Sequence, residues 1–215
     1  MAEKLNEVEV RVLGSLVEKQ LTTPEYYPLT MNALTAACNQ KSNRDPVVSY
    51  DESTISQALD SLREKNLVYV FYGSTSRVVK YKHMLPGVYE LGPDEVAVIA
   101  VLMLRGPQTI GEVRERTGRM HEFGGLLEVQ ETLDRLAKRD DPLVMKLERQ
   151  AGQKDARYVH LLAGEPDISV ISAPRAAPIS TGNGRMESLE SEVSALRAEV
   201  ESLKALFEEF RQQFE

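Results

Sequence analysis

The order of predicted secondary-structure elements constrains the fold of this chain most. Residues 7–20 place apolar side chains on one face at helical spacing, a second helix begins near Thr30, and a third runs from about Glu52 to Lys65. Two β-rich runs, Leu67–Tyr72 and Arg77–Lys82, flank a Gly-Ser-Thr-Ser segment and predict a hairpin. The first part of the chain is thus expected to consist of three helices followed by a hairpin.

The same order of elements returns in the second half. Residues 95–104, 109–117 and 126–138 predict three more helices, and Leu143–Leu147 with Arg157–Leu161 predict a second hairpin. Leu59-Asp60-Ser61-Leu62 matches Leu133-Asp134-Arg135-Leu136 at an offset of 74, which indicates an internal repeat. Three helices and a hairpin are typical of a winged helix. We therefore predict an α+β, mainly helical fold with two tandem winged-helix domains, residues 1–88 and 89–165.

The C-terminal region has a different pattern, with apolar residues at alternating spacings of three and four. These are Met186, Leu189, Val193, Leu196, Val200, Leu203, Phe207, Phe210 and Phe214. The spacing predicts a coiled coil over 185–215, and valine at one core position with leucine at the other favours a parallel homodimer. Residues 166–184, rich in Pro, Ala, Ser and Gly, are expected to form a flexible linker. The alternative is a helix that packs on its own globular domain.

Two motifs carry a family resemblance. At Thr23-Pro24-Glu25-Tyr26-Tyr27-Pro28-Leu29-Thr30 and at Ala37-Cys38-Asn39-Gln40-Lys41-Ser42-Asn43-Arg44-Asp45-Pro46, the sequence closely resembles the YceH-like family of bacterial proteins of uncharacterised function. The resemblance extends over roughly residues 5–165. It implies the tandem winged-helix fold and implies no activity, and it does not include the predicted coiled coil.

Charge and composition limit the classes of function. The net charge is −7, but residues 185–215 hold 4 basic and 8 acidic side chains, which leaves 22 basic and 25 acidic residues upstream. The basic excess of many nucleic-acid binders is therefore missing. No run approaches the ~18 apolar residues of a membrane span. The N-terminus lacks a signal-peptide pattern, and the single Cys38 cannot form an internal disulfide. We expect a cytoplasmic protein without membrane association.

The sequence contains no recognisable catalytic or metal-binding motif. His83, His121 and His160 are scattered, without metal-ligand spacing. Cys38 lies on the inward face of the second helix, where a buried thiol is commoner than a nucleophile. Gly124-Gly125 lacks the preceding strand and further glycines of a phosphate-binding loop. We predict a protein that is not an enzyme and binds no metal or cofactor.

The segment Asn39–Pro46 is the densest polar cluster, and two interpretations compete for it. In the functional one, its amides contact bases or peptide groups while Lys41 and Arg44 contact phosphates or carboxylates. In the structural one, its polar side chains bond nearby backbone groups, and Arg44 pairs internally with Asp45 or Glu52.

The first hairpin is the second candidate contact region. The predicted third helix exposes Glu52 and Asp60, which disfavour phosphate, whereas the hairpin carries Arg77, Lys80, Lys82 and His83. Strand alternation places some of these basic residues on one side, where they can contact a nucleic-acid backbone. The alternative is a solvated strand edge protected by lysines.

Two functions from different classes remain open. One is a DNA-binding, transcription-regulator-like protein whose partner is double-stranded DNA. The other is a protein-interaction scaffold that docks an unidentified protein and does not bind nucleic acid. The candidate contact residues for either partner are Tyr27, Lys41, Asn43, Arg44, Arg77, Lys80 and Lys82. The acidic third helices favour the scaffold, whereas the basic hairpin and the polar loop favour DNA.

Overall fold

The structure, a computed structural model, describes residues 4–72, 78–149 and 155–166. These residues belong to one compact unit, Met1–Asp167. The predicted coiled coil (185–215), nearly all of the predicted linker (166–184) and residues 73–77 lie outside the described residues. The described part is an α+β fold in which helices predominate and the sheets are small and antiparallel.

The elements follow the repeat expected from the sequence. In chain order they are α1 (Glu7–Thr22), a 3-10 turn (Pro24–Tyr26), β1 (Leu29–Thr30), α2 (Met31–Cys38), α3 (Glu52–Glu64), β2 (Val68–Tyr72), β3 (Val79–His83), α4 (Leu85–Tyr89), α5 (Pro93–Arg105), α6 (Ile110–Thr117), α7 (Leu126–Ala137), β4 (Val144–Lys146) and β5 (Tyr158–His160). We call α1 to β3 the first repeat and α5 to β5 the second repeat.

Local sequence signals set several helix starts. Asn6 caps α1: its side chain accepts from the Glu9 backbone N–H at 2.9 Å, and the Glu9 carboxylate accepts from the Asn6 backbone N–H at 2.8 Å. Thr30 caps α2 and Thr109 caps α6 through their hydroxyl oxygens. Because both threonines precede the second helix of their repeats, the two copies share this local chemistry.

The sheets also correspond between the repeats. In the first repeat the strand order is β1-β3-β2, with β3 antiparallel to both neighbours. In the second repeat β4 pairs with β5, and Gln108 bridges Tyr158 at the position that β1 occupies in the first repeat. In both repeats, the residues just before the second helix therefore pair with the second strand of the hairpin.

The two repeats pack together through their first helices. Val10–Val17 of α1 and Val96–Leu104 of α5 are buried, and the apolar residues of both repeats form one core. Gly14 marks the closest approach, because a Cβ atom added there would lie 3.1 Å from Leu104 Cγ and from Met103 Cβ. The absence of a side chain at residue 14 thus allows α1 and α5 to approach.

Most predicted elements are found, and three short ones were not predicted. The predicted bounds of α3, about Glu52 to Lys65, agree with the observed Glu52–Glu64, and Asn66 just after it adopts a left-handed conformation (φ 60°). The 3-10 turn, β1 and α4 contain two to five residues each, too few to show a hydrophobic period. In the part of the chain that the structure describes, no helix has the length and apolar character needed to cross a membrane.

Candidate nucleic-acid interface

The pairing of β2 with β3 places two lysines beside two aromatic residues. Phe71 is opposite Lys80, and Tyr69 is opposite Lys82. Directly paired residues of antiparallel strands share a face of the sheet, as do residues two apart on one strand. Tyr69, Phe71, Lys80 and Lys82 therefore form one array, which we call the outward sheet face.

The outward sheet face is open to solvent. Tyr69 is 64% exposed and Phe71 is 43% exposed, Lys82 is exposed, and Lys80, in the middle strand, is partly covered. Phenylalanine has no polar atom with which to bind water, so its exposure next to a second exposed aromatic ring is unusual for a surface without a partner. This face combines stacking surface with positive charge.

The opposite face of the same sheet packs on the core at one end, whereas at the other end Tyr72 on this face is 73% exposed. Val68 and His83 are paired and buried, and Leu29 of β1 is buried beside Tyr81. His83 is grouped with the basic residues of the hairpin by its position in the sequence, but it is not part of the basic surface. Its burial, with Lys82 nearby, lowers the pKa of His83 to about 4, so the ring is neutral at physiological pH.

The acidic helix α3 lies on the inward side of the sheet. Tyr81, an inward residue of β3, experiences the charges of Asp60 and Arg63 on α3, and burial, with Asp60 nearby, raises its pKa. Lys80 and Lys82 point to the other side. Asp60, one of the carboxylates that disfavour phosphate, is therefore near the inward face of the sheet.

Tyr27 contacts the last residue of β3. Its hydroxyl oxygen accepts from the His83 backbone N–H at 2.7 Å, and its ring meets the His83 ring edge to face at 6.0 Å. Burial raises the pKa of this hydroxyl. The partly buried Tyr27 joins the turn before β1 to the end of β3, whereas its neighbour Tyr26 is 71% exposed.

Arg44, predicted as a contact residue, is buried. Its guanidinium makes five hydrogen bonds: two to the Glu18 carboxylate, at 2.6 and 3.0 Å, two to the Ala37 carbonyl and one to the Asn43 carbonyl. Arginine has five N–H donors, so all are used. The expectation that Arg44 meets a partner at the surface does not fit this geometry. Its described ion-pair partner is Glu18 of α1 rather than Asp45 or Glu52.

The rest of the Asn39–Pro46 loop also bonds internally. The Asn39 side chain donates to the Tyr50 carbonyl and accepts from its N–H, both at 2.8 Å. Asn43 adopts a left-handed conformation (φ 59°), and its side-chain oxygen accepts from the Arg105 guanidinium. The Asp45 N–H donates to the Leu104 carbonyl at 2.9 Å. The loop therefore joins the first repeat to the end of α5 in the second.

Lys41 is exposed, but it lies apart from the outward sheet face. Lys80 is paired with Thr30, which immediately precedes α2, whereas Lys41 follows the end of α2. A helix of eight residues is about 12 Å long. The structure therefore brings Lys80 and Lys82 together and leaves Lys41 near the opposite end of α2.

Several predicted residues lie outside the described part of the chain. Arg77, predicted to begin the second strand of the first hairpin, is one of them. The predicted dimerisation residues, all within the proposed coiled coil, are Leu189, Val193, Leu196, Val200, Leu203, Phe207 and Phe210. Their roles remain predictions.

Tyr69 and Phe71 are not among the contact residues predicted from the sequence. The run Leu67–Tyr72 is aliphatic or aromatic throughout, so its sequence does not show which side chains face solvent. In the partner strand, lysines at the alternate positions Lys80 and Lys82 predict one exposed face. Only the strand register places Tyr69 and Phe71 on that face.

The described residues do not form the surroundings of a reactive thiol or of a metal ion. Cys38 is fully buried, and burial raises the pKa of its thiol to about 11, which disfavours the thiolate. Among residues 4–72, 78–149 and 155–166, no three His, Cys, Asp or Glu side chains are grouped to hold a metal ion.

Comparison with known proteins identifies the family. A family described as protein of unknown function, DUF480, matches residues 5–153. UPF0502 proteins from Opitutus terrae and Geobacter sulfurreducens are 56% and 53% identical, over 90% and 98% of this chain and 83% and 98% of their own lengths. A UPF0502 protein from Vibrio campbellii is 45% identical over 90% of this chain and 92% of its own. The family resemblance inferred from the two motifs is confirmed, because these relatives are UPF0502 proteins and the family model covers most of the chain. The chain belongs to the DUF480 family of proteins of unknown function.

Proposed function

We propose that this protein is a non-enzymatic, cytoplasmic DNA-binding protein, similar to transcription regulators, that contacts DNA through the outward sheet face. Each repeat would be a winged helix, and the β2-β3 hairpin would be the wing of the first. The supporting observation is the strand register that places Lys80 and Lys82 on one exposed face together with Tyr69 and Phe71.

The electrostatics of this face support the proposal. Lysine is a flexible point charge suited to phosphate, and neutralising phosphates releases counterions. Asp60 of α3 is near Tyr81, on the face of the sheet opposite the two lysines. A protein with a near-neutral globular part can therefore bind DNA at one local surface.

The proposal is tested by DNA binding as a function of salt. Fluorescence anisotropy with a labelled duplex and with one of its separated strands should show binding that weakens as salt increases. Replacing Lys80 and Lys82 by alanine should weaken binding and flatten the plot of log K against log salt by roughly one unit per lost phosphate contact.

A charge-matched control separates a local contact from the effect of net charge. Arg119→Ala with Lys138→Ala removes the same two charges from exposed positions of the second repeat and should leave the affinity and the salt slope nearly unchanged. Equal losses in the two double variants, or no binding of either DNA form, would refute the proposed surface.

One observation favours the scaffold as a second candidate function. Leu126 and Leu127, at the start of α7, are 52% and 73% exposed, and adjacent exposed leucines are typical of protein-contact surfaces. On this alternative, Leu126→Ser with Leu127→Ser should abolish recovery of a specific partner protein and leave DNA binding intact. Unchanged recovery would exclude this surface.

A further inference from the structure

We propose that the outward sheet face binds single-stranded DNA, with Tyr69 and Phe71 stacking on unpaired bases and Lys80 and Lys82 contacting the adjoining phosphates. This inference rests on the proposed function and specifies the form of DNA recognised. The observation behind it is the two-by-two array of aromatic and basic side chains set by the β2-β3 register, in which Lys80 is partly covered and the other three are exposed.

The spacing of the two rings favours an unpaired strand. Residues two apart on a β-strand lie about 7 Å from each other, whereas successive bases in a duplex are stacked at about 3.4 Å per strand. Two bases stacked on Tyr69 and Phe71 must therefore separate to about twice their duplex distance. An unpaired strand allows this separation, and a closed duplex does not.

The chemistry of the face agrees with the spacing. In a duplex the flat faces of the bases are covered by their neighbours, so an exposed ring on a protein reaches mainly sugar and phosphate. In a single strand these faces are free, and stacking on aromatic side chains stabilises binding. The exposed ring of Phe71, which has no hydrogen-bonding atom, contributes through such stacking.

The two lysines complement the aromatic residues by charge. On neighbouring strands, which lie about 4.8 Å apart, each lysine is beside one ring: Lys80 beside Phe71 and Lys82 beside Tyr69. A backbone that follows β3 while its bases lie over β2 would meet both lysines. Neither stacking nor lysine–phosphate contact reads base identity, so we expect little sequence preference.

The test compares one 20-nucleotide labelled strand of mixed sequence with the duplex formed from it and its complement. The full-length protein should bind the strand at least tenfold more tightly than the duplex at the same salt concentration. Tyr69→Leu with Phe71→Leu keeps apolar volume and removes stacking, so it should weaken strand binding at least tenfold. It should leave the salt slope unchanged because no phosphate contact is lost.

The matched control is Tyr26→Leu, which removes an exposed tyrosine ring from the turn before β1 and should not change strand affinity. Thermal unfolding of each variant verifies that it folds. The inference would be overturned if the duplex bound as tightly as the strand, or if the Tyr69 and Phe71 substitutions did not weaken strand binding. Either result would leave DNA binding itself in place. If neither DNA form binds, the proposed function itself fails.

Discussion

At the scale of single residues, Arg44 shows how a residue that resembles a ligand contact can be structural. Its five donors are all used within the protein, and its side chain is fully buried against the Glu18 carboxylate. A buried ion pair does not by itself imply a large net stabilisation, but removal of one member leaves an uncompensated charge. The role of Arg44 should therefore appear in stability rather than in affinity.

We predict that Arg44→Ala lowers the free energy of unfolding by about 3–5 kcal/mol. Urea denaturation measures this loss. The control is the exposed pair Arg63–Asp60, with side chains 50% and 66% exposed. Arg63→Ala should cost no more than about 1 kcal/mol. An Arg44 variant that kept its stability and lost DNA binding would return Arg44 to the contact surface.

His83 gives a pH dependence with a defined sign. Its pKa is lowered to about 4 by burial, against about 6.5 in an unfolded chain. Between these values the unfolded state binds more protons, so the stability is fully present above pH 6.5 and falls as the pH decreases towards 4. From pH 6.5 to 5 the contribution of His83 should fall by about 1–2 kcal/mol.

Denaturation of His83→Phe measures this contribution, because phenylalanine keeps an aromatic ring beside Tyr27 and does not titrate. The variant should lose less stability than the natural sequence over the same pH interval. Burial also lowers the pKa of His160 to about 4, so part of the pH dependence should remain. Equal losses of stability in both proteins would show that His83 does not contribute to the pH dependence.

At the scale of elements, the contact between α1 and α5 joins the two repeats. Gly14 lies within α1, where glycine ordinarily destabilises a helix, yet a Cβ there would be 3.1 Å from atoms of Met103 and Leu104. We predict that Gly14→Val lowers the free energy of unfolding by about 1–3 kcal/mol through overpacking.

Gly111 supplies the matched control for this helix contact. It lies in α6, and a Cβ added there meets no atom within 4 Å. Gly111→Val should therefore change the free energy of unfolding by less than about 0.5 kcal/mol, the usual range for surface changes. Similar losses for both substitutions in urea denaturation would show that the contact of residue 14 with α5 is not the cause.

At the scale of the whole molecule, we predict a parallel homodimer through residues 185–215, which lie outside the described part of the chain. The nine apolar seam positions form a stripe that a solvent-exposed helix would tolerate poorly. A dimer would present two outward sheet faces, so that two weak sites could act together through a high effective concentration.

Light scattering of the full-length protein and of Leu196→Glu with Leu203→Glu tests the dimer. Charge at two core positions of the seam should convert the dimer to a monomer and leave the fold of the repeats intact, as judged by circular dichroism. A charge-matched variant, Ser194→Glu with Ser202→Glu, adds the same two negative charges at positions outside the seam and should remain dimeric. A dimer that persists after both seam substitutions would place the interface elsewhere.

The sequence by itself determined the longer elements and their order, because helix periodicity, caps such as Thr30 and strand alternation act over a few residues. Only the tertiary structure decided which polar residues remain at the surface. Arg44 is buried because Glu18, 26 residues earlier, reaches it from α1, and Tyr27 meets His83 across 56 residues. The outward sheet face likewise depends on strand register and on the side that packs on the core. These are long-range contacts, and local sequence patterns do not encode them.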